Sequence, residues 1–394
     1  MNLRYLIIIL MLSFFSCGDK ERTKHRHATN DPASIVSNDT IIIPNIIHPN
    51  PNELKNLILI EDHLPKGFSR KGDVDYTETI QKVLNEYRNV KFPDFPLLVN
   101  YLGLKVKSNS KLVFQKNSLI KLNSTDKIAY EIIKIENVQN VSIFGLKVEG
   151  DRYRRIDPDN KHGEWGMGLM IKSSENIKVY NPTITKCWGD GIYIGRGDVE
   201  KPNNDVLIYQ AIIDDNRRNG ISIICGRDIE IIEPLVSNTK GTSPESGIDI
   251  EPNGPDDVID NILIKDAYTY NNEYIGIVVS LSQMVSDKAK EATITILNHT
   301  DKYSENGFMI ASFRSERKAS DVRIAGKILV KNSKWMFNER PYVIGVTRIL
   351  SPLIEIVDAK IYSDENNPGV INEKMLSNMN QNNEEVVFRS NKGL

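Results

Sequence analysis

The sequence predicts an all-β solenoid, a chain wound into stacked coils of short strands, and two observations predict it. A phrase of glycine followed by three mostly apolar residues recurs through the middle of the chain, with lead glycines 23, 29, 27, 29 and 31 residues apart. A period in this range indicates a repeat architecture. Between the copies lie short segments of alternating apolar and polar residues rich in β-branched side chains, which is the pattern of strands. The phrases begin at Gly168, Gly191, Gly220, Gly247, Gly276 and Gly307.

The composition is that of an ordinary soluble protein. The chain has 394 residues, of which 26% are charged and 40% hydrophobic, and a formal net charge of −2. This is ample material for a core. The near-neutral charge, with lysine and arginine scattered, gives no support for nucleic-acid binding.

The N-terminus differs from the rest. Arg4 precedes the apolar run Leu6 to Phe15, which is too short to span a bilayer as a mature helix and which ends at Phe15-Ser16-Cys17-Gly18. This segment resembles the lipobox of bacterial lipoproteins, which implies cleavage before Cys17, lipidation of its sulfur, and a place on the outer membrane or cell surface. A plain secretory signal is the alternative.

The domain organisation follows from these segments. We expect a signal peptide over residues 1–17, a flexible tether and lead-in over 18–50, and the solenoid with its terminal caps over 51–394. The remaining cysteines, Cys187 and Cys225, lie in different repeats, so we expect buried free thiols rather than a disulfide.

An amphipathic helix is predicted ahead of the repeats, where it would cover one open end of the solenoid. Ile80, Val83, Leu84 and Tyr87 fall on one helical face, and Thr77 is the expected N-cap. Short strands follow, and from Lys111 the chain settles into strands separated by polar turns with asparagine and glycine. The predicted strands are Val90–Pro93, Leu102–Val106, Lys111–Phe114, Ser118–Leu122, Val141–Phe144, Asn176–Val179, Asp205–Ile208, Ile229–Ile232, Asn261–Ile264 and Ala292–Ile296.

The helix, then Lys91-Phe92-Pro93, then the short strands and the Gly-Ile repeats resemble the pectate-lyase-like superfamily over roughly residues 73–335. That superfamily consists of single-stranded right-handed parallel β-helices. The resemblance implies that the protein acts on a polysaccharide. It leaves the reaction open, because a fold does not fix chemistry.

Aligning the repeats predicts which side chains meet outside the solenoid. In Gly-Ile-X-Ile-X the isoleucines point inward and both X residues point outward. Neighbouring coils lie about 4.8 Å apart, and outward residues two apart on a strand lie about 7 Å apart. One outward patch is therefore expected, built from Asp190, Tyr193, Asn219, Ser222, Asp249 and Glu251.

The patch suggests glycoside cleavage by acid/base carboxylates, with Asp190, Asp249 and Glu251 as the catalytic candidates. In such reactions one carboxyl protonates the leaving oxygen while another activates water or attacks, and a separation of about 6.5–9.5 Å favours inversion. The expected spacing of Asp249 and Glu251 is nearer that range. Close carboxylates also raise one pKa, which would supply the acid.

Further residues are candidates for substrate binding. Lys172, Arg217 and Arg218 are suited to gripping an anionic glycan, although they could equally neutralise nearby carboxylates. Trp165 is a candidate sugar platform, and its neighbour Glu164 an additional acid or base. Tyr193 and Asn219 complete the predicted binding residues, which are Lys172, Tyr193, Arg217, Arg218, Asn219, Glu164 and Trp165.

Known catalytic sets of the superfamily match only in part. Polygalacturonases carry three motifs in successive coils, of which this chain keeps only Asp190-Gly191, so that activity is not expected. Lyases of this fold hold Ca²⁺ with an acidic pair two apart and an asparagine one coil earlier, which Asp249, Glu251 and Asn219 could mimic. No lysine follows closely after Glu251, however.

Three hypotheses remain. Hydrolysis of a polysaccharide, needing no cofactor or metal, is favoured. A lyase or C5-epimerase acting on a uronate polymer, with Tyr193 or Lys172 as base and Ca²⁺ as a cofactor, is the second. A non-catalytic glycan-binding solenoid is the third. The expected partners are a polysaccharide and, through Cys17, a membrane, and the sequence leaves open whether the chain forms a homo-oligomer.

Overall fold

The structure is a computed structural model, and it describes most of the predicted solenoid. The described residues are 55–157, 164–199, 201–288, 290–311, 322–345, 350–364, 367–370 and 386–389. They fall in one compact unit, Pro44–Leu394. The predicted signal peptide, the tether and the lipidation site Cys17 lie outside the described residues and stay predictions.

Three sheets run the length of the described chain, and each coil contributes one strand to each sheet. We call them sheets A, B and C. Sheet A has the strands Ile58–Leu59, Asn89–Lys91, Lys111–Val113, Gln139–Phe144, Glu175–Tyr180, Asn203–Tyr209, Gly226–Ile232, Ile259–Lys265, Lys290–Leu297, Ile324–Lys331, Leu353–Val357 and Val386–Arg389.

Sheet B has the strands Pro96–Val99, Leu119–Leu122, Lys147–Glu149, Thr183–Thr185, Ile212–Asp214, Leu235–Ser237, Tyr268–Tyr270, Thr300–Lys302, Lys334–Met336, Lys360–Asp364 and Asn367–Val370. Sheet C has the strands Leu104–Lys105, Glu131–Glu136, Met167–Lys172, Ile192–Gly195, Asn219–Ile223, Ser246–Ile250, Ile275–Val279, Asn306–Ile310 and Arg340–Ile344. Neighbouring strands pair in parallel except for Lys360–Asp364 with Asn367–Val370. The predicted strands are confirmed, although the first four are shorter than predicted and the later six are two or three residues longer.

The core is a continuous stack of aliphatic side chains enclosed by the three sheets. Alternation places every second strand residue inside, and the isoleucines of the repeated phrase, such as Ile248 and Ile250, are fully buried there. Cys187 and Cys225 are buried free thiols, as expected.

Asparagines at the corners explain how the chain turns so tightly. Asn140 and Asn176 have φ of 58° and 52°, a left-handed conformation that asparagine tolerates better than most residues. Their amides also bond from coil to coil, with Asn140 Nδ2 donating to Asn109 Oδ1 at 2.9 Å and Asn176 Nδ2 to Asn140 Oδ1 at 2.8 Å.

The predicted helix is confirmed as Thr77–Glu86, with Ile80, Val83 and Leu84 buried in the core. Thr77 is the first helical residue, so its prediction as N-cap is wrong by one position. The N-cap position is Tyr76, and Asp75 before it supplies the oxygen that accepts the Thr77 N–H, at 2.9 Å. Short 3₁₀ helices span Ile60–His63 and Ser282–Met284. Among the described residues, no helix is long and apolar enough to cross a membrane.

Candidate functional site

The strand register of sheet C brings together the residues that the repeats predict. Tyr193 pairs with Ser222, Ser222 with Asp249, and Asp249 with Val278 in successive coils. Their side chains lie outside the aliphatic core. The predicted outward column is therefore confirmed as an arrangement of residues.

The column is not an open surface, and this differs from the expectation. Asp190, Asn219, Ser222 and Asp249 are each at most 1% exposed, and Tyr193 is 5% exposed. The outer face of sheet C is covered by chain that leaves the strands, which the repeat pattern does not describe.

One covering element is the segment 252–258, which follows the strand Ser246–Ile250. The Asn253 side chain hydrogen-bonds to the hydroxyl of Tyr193. Asp257 Oδ2 accepts the N–H groups of Asn253 and Gly254, both at 2.9 Å, and Asp257 Oδ1 lies 3.4 Å from Arg196 Nε. The segment is thus pinned over the column.

Asp190 anchors Arg218. Arg218 Nη1 donates to Asp190 Oδ2 at 3.1 Å, and Asp190 also accepts the Asn219 N–H at 3.1 Å and the Ser222 hydroxyl at 2.8 Å. Burial raises the pKa of Asp190, while Arg218 and the hydrogen bonds oppose the rise. Both oxygens of Asp190 are thereby engaged, and the contacts support a positioning role. Its catalytic role stays a prediction.

Asn219 connects Asp190 to the next coil. Its Nδ2 donates to Ser222 Oγ at 3.0 Å and to Asp249 Oδ2 at 2.9 Å. Its Oδ1 accepts the Ser246 N–H at 3.1 Å, which fixes the orientation of the amide. Predicted as a substrate-binding residue, Asn219 is fully buried and instead aims a donor at Asp249.

Asp249 and Glu251 form a buried pair of interacting carboxyls. Burial raises the pKa of both, and that of Asp249 is well above its usual range because Glu251 also repels its charged form. The two side chains hydrogen-bond to each other, and Glu251 also bonds to Ser280. Asp249 Oδ1 is buried and has no hydrogen-bond donor among the described residues. Because the two carboxyls contact each other directly, they do not flank a water molecule as an inverting pair would.

The Arg218 guanidinium interacts with the charges of four carboxyls of the site. Burial alone would lower its pKa, but Asp190, Asp249, Glu164 and Glu251 together raise it. Its Nε lies 3.5 Å from Glu164 Oε2. Its charge therefore balances protein carboxyls, which is the alternative left open in the sequence analysis.

The Arg217 side chain packs against Trp188. Its guanidinium lies 4.1 Å from the centroid of Trp188, and Arg155 lies 4.2 Å from the same ring. Arg217 and Trp188 are each 5% exposed, so neither presents an open surface to a sugar. The predicted substrate-binding role of Arg217 is not supported by these contacts and stays a prediction.

The open side of the site is formed by Glu164, Trp165 and Glu251. Trp165 is 39% exposed and meets Tyr193 edge-on at 6.3 Å between ring centroids. The Glu164 side chain is 38% exposed, and Glu251 is half-buried. Lys172 Nζ lies 5.6 Å from the Tyr193 ring centroid. Trp165 and Glu164 thus lie where a glycan could reach them, as their predicted roles require.

The residues proposed to hold calcium under the lyase hypothesis do not fit that role. Ca²⁺ binds oxygen atoms, but the Asn219 amide turns its nitrogen toward Asp249 and its oxygen toward the Ser246 N–H. In the described part of the chain, no group of three His, Cys, Asp or Glu side chains is arranged to hold a metal ion.

Tyr193 is also poorly suited to act as a base. Burial raises its pKa well above the usual range, with Asp190 adding to the rise. The hydroxyl therefore keeps its proton at physiological pH.

Some residues of the site escaped the sequence analysis. Ser280 received no predicted role, and its side chain hydrogen-bonds to Glu251. Asn253 and Asp257 lie in a non-repeating segment, and Pro252 after Glu251 was the only signal that the chain turns there.

Comparisons with known proteins support the fold. A family model described as "Right handed beta helix region" matches residues 85–256. Two Bacillus subtilis proteins are similar in sequence. The uncharacterized protein YclG is 25% identical over 276 residues, covering 61% of this chain and 46% of that protein. The SPbeta prophage-derived uncharacterized protein YorA is 28% identical over 165 residues, covering 39% and 28%. The chain thus spans less than half the length of these curated relatives.

Solved structures show the same architecture. The tailspike protein of E. coli bacteriophage HK620, a mutant in complex with a hexasaccharide, aligns with a TM-score of 0.58 and 10% identity, covering 79% of this chain and 58% of that one. Endo-xylogalacturonan hydrolase from Aspergillus tubingensis aligns with a TM-score of 0.55 and 12% identity, covering 78% and 86%. The chain is a right-handed parallel β-helix, as its repeats predict.

Proposed function

We propose that this protein cleaves a polysaccharide by hydrolysing glycosidic bonds, with Glu251 and Asp249 supplying the acid. The observation that carries the proposal is the contact of two carboxyls with raised pKa values, Asp249 being buried and Glu251 half-buried at the open side. A carboxyl that keeps its proton near neutral pH suits the protonation of a leaving oxygen. The similarity to a tailspike solved with a hexasaccharide and to a xylogalacturonan hydrolase supports a glycan as substrate.

The exposure of each carboxyl side chain decides the role that we assign to it. Glu251 is the member of the pair that reaches the open side, so the proton of the pair passes through it to the departing sugar oxygen as the glycosidic bond breaks. Asp249, buried below, holds the proton until that step. Arg218 and the Asn219 amide then stabilise the negative charge left on the pair.

Glu164 is the second carboxylate that the reaction needs. It lies across Arg218 from the pair, and its charge helps raise the pKa of Glu251. A water molecule that attacks the anomeric carbon loses a proton to Glu164. Glu164 then releases this proton to solvent, and the pair regains one from solvent. Asp190 keeps Arg218 in place, and Trp165 offers a flat apolar face to a sugar ring.

The alternative of β-elimination or C5-epimerisation is less well supported. It needs a base that abstracts a carbon-bound proton. Of the two candidates, the buried Tyr193 keeps its own proton, and Lys172 lies against the Tyr193 ring. Of the proposed calcium ligands, the Asn219 amide oxygen is turned to the Ser246 N–H and away from Asp249.

The proposal predicts that Glu251→Gln and Asp249→Asn lower kcat/KM for glycan hydrolysis by about 10²–10⁴-fold, the usual contribution of a general acid. The readouts are new reducing ends and, for the lyase alternative, ultraviolet absorbance of unsaturated products. Glu230→Gln is the matched control because Glu230 is an exposed strand carboxyl of sheet A.

Each variant must keep its β-sheet circular dichroism and melting temperature for the comparison to count. Full activity in both folded variants would reject the acid pair. Unsaturated products from the native protein would favour elimination over hydrolysis, and native protein that binds glycan without cleaving it would make this a binding module.

A further inference from the structure

We infer that the glycan held at this site is uncharged where it meets the Asp249–Glu251 pair. The inference rests on the proposed function and names its substrate class. It reverses the expectation of an anionic glycan, which rested on the arginines and lysine near the repeats.

The first step is that the cations of this region are engaged by the protein itself. Arg218 is paired with Asp190 at 3.1 Å and Glu164 at 3.5 Å, and Arg196 with Asp257 at 3.4 Å.

The neighbouring arginines beside Trp188 are also engaged. Arg155 lies 3.4 Å from Asp151 with both side chains fully buried, and Arg152 lies 3.1 Å from Asp215. Arg217 and Lys172 lie against the rings of Trp188 and Tyr193. To bind a uronate or sulfate, these groups would have to leave existing partners.

The second step is that the charge facing a ligand is negative. Arg218 lies among four carboxyls, Asp190, Asp249, Glu164 and Glu251. These carboxyls outnumber the cation, so their combined charge with Arg218 is negative even when the Asp249–Glu251 pair carries a proton. The two most accessible of these carboxyls, Glu164 and Glu251, lie on the open side, so an anionic sugar would meet like charges.

The third step is that uncharged hydroxyl and amide groups suit this surface. Carboxylates accept hydrogen bonds from sugar hydroxyls or N–H groups. Trp165, exposed beside Glu164, provides an apolar face for a ring. An oligosaccharide of neutral sugars satisfies both features.

The experiment compares matched glycans that differ only in charge. Homogalacturonan, alginate and unsulfated chondroitin are each assayed beside their carboxyl-reduced forms, together with neutral polymers such as galactomannan, β-glucan and N-acetylated glycans. We expect turnover or binding only among the uncharged members, at least tenfold above any anionic one. Turnover of an anionic polymer that is lost on carboxyl reduction would overturn the inference and leave the proposed hydrolysis standing. No turnover or binding of any member would overturn both.

A variant tests the charge of the open side by binding alone. Glu164→Lys puts a cation beside Trp165, and it should raise the affinity for a galacturonate oligomer at least tenfold in low salt, with the gain lost at high ionic strength. Glu230→Lys, on sheet A, is the control and should not bind the oligomer. Tight binding of the galacturonate oligomer by the unmodified protein would contradict the inference.

Discussion

At the scale of single residues, the lead glycines of the repeat are required by close packing rather than by unusual backbone angles. A Cβ built on Gly220 would lie 2.1 Å from Val236 Cγ1 and 2.5 Å from the carbonyl oxygen of Gly247. The same approach to the next coil's carbonyl oxygen recurs at Gly191, Gly247 and Gly276. Glycine recurs at these positions because any side chain there would push two coils apart. The repeat is therefore visible in the sequence.

Gly220→Ala is therefore expected to destabilise the fold by about 1–3 kcal/mol, the usual consequence of overpacking a core. The carbonyl oxygen is backbone and cannot rotate away, so the strain reaches the pairing with the next coil. The free energy of unfolding, measured by urea denaturation, tests this.

Gly254→Ala is the matched control, because a Cβ at Gly254 has no atom within 4 Å. Equal stability of the two variants would contradict the packing argument.

The register of the repeats could be predicted from the sequence because the side-chain period of a strand is two. The burial of Asp190 and Asp249 could not, because it depends on the non-repeating segment around Asn253 and Asp257. The sequence left open whether Arg218 binds an anionic ligand or neutralises nearby carboxyls. The partners of Arg218 come from three coils and an irregular segment, and only their assembled positions show that the cation is engaged.

At the scale of elements, sheet B contains a buried polar cluster that the sequence analysis missed. One inward column runs from Val236 through Thr269 and Asp301 to Trp335. Asp301 is fully buried and accepts the hydroxyls of Thr269 at 2.6 Å and Ser304 at 2.7 Å. Aligning the short strands of sheet B, as was done for sheet C, would have placed Thr300-Asp301-Lys302 over the core.

This cluster holds two groups with opposite titration behaviour. Burial raises the pKa of Asp301 to about 7 from 3.8, and burial lowers the pKa of His299 to about 3 from 6.5. His299 Nε2 lies 2.8 Å from Thr269 Oγ1. Between pH 4 and 6.5 the folded pair keeps one proton, on the acid, and the unfolded pair also keeps one, on the imidazole. Folding then takes up no net proton from this pair, and its pH dependence cancels.

Asp301→Asn is expected to break this balance. In the native protein, unfolded Asp301 loses its proton above pH 3.8 and folded Asp301 only near pH 7, so its contribution to stability falls across that window. The total fall is roughly 4 kcal/mol, because each pKa unit is worth about 1.4 kcal/mol. An amide mimics the protonated acid and does not titrate. The variant should therefore gain stability relative to the native protein as pH rises from 4 to 7.

Urea denaturation at pH 5 and pH 8 measures this difference. Asp126→Asn, at an exposed carboxyl, is the control and should show little change with pH. If Asp301→Asn is destabilised equally at both pH values, the prediction that the buried Asp301 carboxyl is neutral is wrong.

At the scale of the whole molecule, a parallel solenoid has the weakness that its terminal coils expose unpaired strand edges and open core. Such edges template association with other chains. The helix Thr77–Glu86 covers the core at the N-terminal end of the described coils, with Ile80 fully buried beneath it. Its amphipathic spacing made the helix predictable. Its exact start was not predictable, because Asp75 rather than Thr77 supplies the capping oxygen.

Ile80→Asp should consequently detach the helix and expose the terminal coil. Burying an unpaired carboxylate is far costlier than losing a methyl group, so the helix leaves rather than accommodates the charge. We expect a lower melting temperature. We also expect concentration-dependent association, measured by light scattering. Lys82→Asp introduces the same acid on the exposed face of the same helix and should keep the native oligomeric state. If Ile80→Asp stays as dispersed as Lys82→Asp, the helix contributes packing energy but does not protect the end of the solenoid. The strand edges of the first coil would then have to be shielded by their own polar side chains.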